Sequence, residues 1–96
     1  MRSFVTRSYY AHITSAGAQD SGNIALGVIK TGTGVYSITI PANMRLVGAT
    51  ASTDSSGGAL VDINIVTDRT IELRTFLSAT GAANDWGSRL NLQVAA

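Results

Sequence analysis

Apolar and polar residues alternate along most of this chain with the period of two that belongs to a strand. Residues 35–40 put Tyr36, Ile38 and Ile40 on one face and Val35, Ser37 and Thr39 on the other. Residues 24–30 carry Ile24, Leu26 and Val28 on one side. Residues 60–66 set Val61, Ile63 and Ile65 inward against Asp62 and Asn64. Residues 70–77 set Ile71, Leu73, Thr75 and Leu77 against Glu72, Arg74 and Phe76. Residues 89–94 close the series with Leu90, Leu92 and Val94 inward. Residues 3–14 and 45–53 are rich in Ser, Thr, Val, Tyr and Ala and complete the set of strands. A helical period is almost absent.

Turn residues punctuate these runs at the spacing of a sandwich or barrel. Residues 31–34, Thr-Gly-Thr-Gly, form a tight hairpin turn in which two glycines supply positive φ. Pro41 ends the following strand, because proline has no N–H to give a ladder. Loops are expected at residues 16–23, 54–58 and 78–87, with a turn at 67–69. The fold predicted is all-β: a two-sheet antiparallel β-sandwich, jelly-roll-like, of about seven or eight strands. The one plausible boundary separates an N-terminal arm or edge strand, residues 1–15, from a sandwich domain, residues 16–96.

Composition narrows what such a domain does. Ninety-six residues support one domain with a thin core. Cysteine is absent, so neither a disulfide nor a thiolate contributes, and oligomerisation is the expected source of added stability. A net charge of +1 with 14% charged residues offers no basic field for nucleic acid. No apolar run reaches membrane-spanning length, and the first residues lack a secretory signal, so synthesis in a cytoplasm is expected.

Reactive constellations are missing. His12 is the single histidine, flanked by Ala11 and Ile13, and reads as a surface or partly satisfied strand residue. No serine sits in a nucleophile-elbow context. The acids Asp20, Asp54, Asp62, Asp68, Glu72 and Asp85 fall mostly in turns or on outward positions, where solvation explains them. Gly32-Thr33-Gly34 leads into a strand, not the helix N-terminus a phosphate loop requires. Asp54-Ser55-Ser56 and Asn84-Asp85 lack the ligand count of a calcium loop, and ordinary turn chemistry fits them better. No catalytic residue, metal or cofactor is expected.

The remaining signal lies in the surface. Six of the seven basic residues are arginine, the exception being Lys30. Arginine is enriched at interfaces because its planar guanidinium desolvates readily and forks onto carboxylates. Residues 2–10 hold Arg2, Phe4, Val5, Arg7, Tyr9 and Tyr10 and no acid. Adjacent tyrosines cannot both enter one core, so one ring must face a solvent or partner. This segment is either a partner-contact arm or simply the first strand, and an edge strand can be both.

The wording Thr31-Gly32-Thr33-Gly34-Val35-Tyr36 followed by an alternating strand resembles small β-sandwich structural proteins of tailed bacteriophages. The Ala/Ser/Thr-rich strand at 48–53, the Val/Ile strand ending in a polar turn at 61–69, and Asp85 before the last strand extend the resemblance over residues 24–95. In that family the module serves in capsid decoration (cement) proteins and in tail-fibre tips. The resemblance implies a non-enzymatic homotrimer on the capsid surface of a virion that bridges subunits of the major capsid protein. The alternative it allows is a receptor-binding tip, with Asp54, Ser55, Ser56, Asp85 and an exposed Trp86 meeting a host glycan or protein. The short chain with its own Met1 favours decoration.

Overall fold

The alternating segments become eight strands in the computed structural model, which describes residues 6–54 and 58–95. They are β1 (Thr6–Ile13), β2 (Gln19–Gly22), β3 (Gly27–Gly32), β4 (Val35–Thr39), β5 (Arg45–Thr53), β6 (Ala59–Ile65), β7 (Thr70–Leu77) and β8 (Ser88–Ala95). Two four-stranded sheets result, ordered β2-β1-β8-β5 and β3-β4-β7-β6, and every pairing is antiparallel. No residue among those described is helical. The protein is a two-sheet β-sandwich. Setting β2 and β3 aside, β1 pairs β8, β4 pairs β7, and β5 approaches β6 across the sheets. That nested path is a jelly roll, and the β2–β3 excursion adds one strand to each sheet.

The inner faces are those the alternation predicts. Tyr36 and Ile38 on β4, Ile71 and Leu73 on β7, and Leu90, Leu92 and Val94 on β8 are buried. Sheet one adds small residues, with Ala11 buried and Ala49 and Ala51 packed against the core. Large side chains of sheet two thus face a partly small-residue wall, which lets the layers interdigitate. Strand β5 breaks its own alternation to do this. A bulge between Leu46 and Gly48 turns Val47 outward, so that Leu46, Ala49 and Ala51 all reach the core. Ile65, expected to face inward, is 44% exposed because it ends β6 at the rim of the sheet.

Pairing defines two further segments. Residues 16–23 are not all loop, since β2 lies within them and pairs Ala11–Ile13. The strand Gln-Asp-Ser-Gly has no apolar residue to signal it. It is braced instead by the Gln19 amide, which donates to Ile24 O at 2.6 Å and accepts from Leu26 N at 2.9 Å. Residues 6–13 do not stand apart from the sandwich: β1 pairs β8 over its whole length. Because β2 covers only its last three residues, the far side of residues 6–9 is a sheet edge among the described residues.

Four connecting features gather at one end of the sandwich. They are residues 14–18 after β1, the turn Thr33-Gly34 after β3, Asp54 after β5, and residues 78–87 after β7.

Candidate functional site

The Thr-Gly-Thr-Gly turn and Asp85 form one construction at that end. Only Gly34 of its two glycines has positive φ, at 67°. A Cβ there would lie 2.5 Å from Thr75 O and 2.8 Å from Asn84 O, so the backbone of residues 75 and 84 occupies the space a side chain would need. The Gly34 N–H donates to Asp85 Oδ1 at 2.7 Å, and Lys30 Nζ donates to Asp85 Oδ2 at 2.6 Å. Thr75 N donates to Gly34 O, and the buried Thr75 hydroxyl donates to Asn84 O. The long loop is thereby pinned onto the hairpin turn. The Lys30 ammonium, followed by the Gly34 N–H, holds the Asp85 carboxyl below its usual range. Beneath this lock sits Tyr36, fully buried, whose hydroxyl donates to Ser15 O at 2.8 Å and ties the β1–β2 connection to the second sheet. Burial, with the charge of Asp85 as a lesser cause, pushes that hydroxyl's pKa up.

A second construction surrounds His12. Its Nδ1 lies 2.6 Å from Asp20 Oδ1 and its Nε2 lies 2.6 Å from Asp54 Oδ2. The register shift between β1 and β2 sets two residues, Asp20 and Ser21, against one and turns Asp20 toward the outer face that His12 occupies. Asp54 is fixed by its own backbone, whose N–H donates to Gly87 O at 2.9 Å. Its carboxylate lies so close to Gly87 that any Cβ at that position would collide with it. The hydrogen bonds to Asp54 and then Asp20 raise the His12 pKa against a smaller opposing effect of burial. With both ring nitrogens facing carboxylates, the imidazole has no free lone pair to serve as a general base. Residues 84–87 are thereby stitched to the turn on one side and to Asp54 on the other.

A concavity of about 620 Å³ opens beside His12 on the outer face of the first sheet. Tyr10, His12, Ser21, Arg89 and Asn91 contribute to its wall. These residues share one face by register, since Tyr10 opposes Asn91 and His12 opposes both Ser21 and Arg89. Tyr10 is 56% exposed, and Arg89 has no carboxylate partner among the described residues.

The predicted contact residues are distributed as follows. Arg2, Phe4 and Val5 lie outside the described residues. Arg7 is exposed near the start of β1. Tyr9 packs against the core while Tyr10 faces out, which resolves the adjacent tyrosines. In the predicted ligand loop, Ser55 and Ser56 also lie outside the described residues. Asp54 and Asp85 are brought to the same end but engaged in internal contacts. Trp86 is half-buried rather than exposed, and its indole N–H is buried without a partner among the described residues. Sequence reasoning reads His12 as a surface or partly satisfied strand residue, Asp20 as a solvated acid and Arg89 as one of six arginines, and does not single out Asn91. Only the even spacing of Ser8, Tyr10 and His12 hinted that these side chains share an outer face. Among the described residues no group of three or more His, Cys, Asp or Glu side chains is arranged to hold a metal ion, His12 lying between Asp20 and Asp54 with one ring nitrogen toward each. No family model matches the chain, and no curated protein or solved structure matches it either.

Proposed function

We propose that this chain is a structural virion protein of a tailed phage, a capsid decoration protein that assembles as a homotrimer and bridges neighbouring subunits of the major capsid protein. The observation that carries the reading is the lock between Gly34, Lys30 and Asp85. Two of the features on which the resemblance rests, Gly34 of the turn and Asp85 before the last strand, lie 51 residues apart yet form one interlocked unit. The turn glycine is required by its φ and by packing, and the Asp before the last strand is its anchor. A jelly-roll sandwich with stitched loops suits a rigid mechanical role. Its function is then to present fixed surfaces, and modest contacts repeated by each copy add through multivalency against pressure from packaged DNA.

The contact surface favoured is the outer face and free edge at β1, with Arg7, Tyr10 and Arg89 as anchors of the kind that dominate interfaces. Such a protein is made in the host cytoplasm and resides on the capsid surface. Among the described residues of the loop end, Asp54 and Asp85 are engaged in internal contacts and Trp86 is half-buried, which weighs against the receptor-binding alternative. The test is to mix the purified protein with phage heads that lack it and image them. Density at symmetric positions between capsid subunits supports decoration. Density only at the tail supports adhesion, and no binding to particles rejects both.

A further inference from the structure

We propose that His12 is a pH-operated latch: as an imidazolium it ties β2, through Asp20, to the Asp54 end of β5, and on losing its proton it lets go of Asp20 and loosens β2, which remains paired with β1. The argument begins with hydrogen-bond capacity. An ionised carboxylate only accepts, so two contacts of 2.6 Å are both hydrogen bonds only when both ring nitrogens carry hydrogen. The neutral ring keeps one N–H. Its other nitrogen then presents a lone pair to a carboxylate oxygen at the same short distance, which is repulsive.

The two carboxylates are not equally free to leave. Asp54 is held by its backbone bond to Gly87 O and by its fit against Gly87. Asp20 lies in a four-residue edge strand that pairs only β1. The side that opens is therefore Asp20 and β2. Around the ring, β2 contributes the charge of Asp20, β5 that of Asp54, and β8 the cation Arg89, opposite His12 in register. Tyr10 is the neighbouring titratable group on β1's own outer face. Arg89 opposes protonation and the two carboxylates favour it. The hydrogen bonds to Asp54 and Asp20 outweigh the opposing effect of burial, so the His12 pKa is raised above its ordinary value of 6.5. The ring and Ser21 are also part of the wall of the concavity, so loosening β2 reshapes the groove as well as the edge.

Because His12 is the only histidine, its ring signals are unambiguous in an NMR titration of the intact protein. The latch requires a pKa above 6.5, lowered in both Asp20→Asn and Asp54→Asn, the latter more, in line with the order of causes. Amide hydrogen exchange in Gln19–Gly22, corrected for intrinsic base catalysis, should accelerate about fivefold as the ring deprotonates, the equivalent of one net hydrogen bond. Amides of Ile71 and Leu73 in the same sample should not change, and in His12→Gln the pH dependence at β2 should vanish. A wild-type pKa at or below 6.5 overturns the latch. So do carboxylate variants that leave the pKa unmoved, or β2 protection indifferent to the ring's charge. The wild-type titration alone decides if a variant fails to fold.

Discussion

Replacing Gly34 with alanine strikes the turn lock at its tightest point. The residue has φ of +67°, where an L side chain costs roughly 1–2 kcal/mol. The new Cβ would sit 2.5 Å from Thr75 O and 2.8 Å from Asn84 O, both backbone atoms that no side-chain rotation can move. Relief requires separating the turn from residues 75 and 84, which sacrifices the Thr75 N to Gly34 O bond and the Gly34 N to Asp85 bond. At about 1 kcal/mol net for each, the total is about 3–4 kcal/mol. Domains of this kind are stable by only about 5–15 kcal/mol, so the variant loses a large part of its margin. Urea unfolding and thermal melting measure it, and a melting temperature lower by more than about 12 °C is expected. Gly81→Ala is the control, since φ is +71° but nothing lies within 4 Å of its Cβ. It should lose only the conformational part, about 1–2 kcal/mol. If Gly34→Ala is no worse than Gly81→Ala, the packed lock does not contribute as described.

Three other predictions follow from the same contacts. Asp85→Asn should flatten the acid side of the stability profile. The Asp85 pKa is lowered in the fold, so its contribution is present above the ordinary value of 3.8 and is lost as pH falls through the folded value. The melting-temperature gap between wild type and variant should therefore shrink as pH drops below that value, and a constant gap would reject the ion-pair assignment. Tyr36→Phe removes a buried hydroxyl that donates to Ser15 O and should destabilise by about 1 kcal/mol in urea; an unchanged midpoint would show the bond contributes nothing net. Tyr10→Ala and Arg7→Ala, both at exposed positions, should shift stability by no more than about 0.5 kcal/mol. Each should weaken attachment to particles by about 1–2 kcal/mol or more in a binding titration, and wild-type affinity in both would move the contact surface elsewhere.

The sandwich was legible because its strands are half-buried: Tyr36, Ile38, Leu73, Leu90 and Leu92 sit where a period of two places them. What stayed hidden depends on pairing rather than pattern. β2 has no apolar residue and exists through its ladder to β1 and the Gln19 brace. The bulge at Val47 shifts the inward set of β5 by one residue, which alternation cannot foresee. His12 reads as a surface or partly satisfied strand residue, and its partners, 8 and 42 residues away in sequence, carry no local signal. The pairing of Asp85 with Gly34 spans 51 residues, so two signals that looked separate are one structure. Trp86, read as an open platform, is half-buried in a loop tethered to its neighbours on either side.

The most direct test of the proposed role is whether, where and in how many copies this protein occurs in purified tailed-phage virions, by cryo-electron microscopy together with quantitative mass spectrometry. The account predicts a sandwich of eight strands at symmetric sites on the head shell, three copies to a site, in numbers comparable to the major capsid protein. A few copies confined to the tail, or none in the particle, would contradict it.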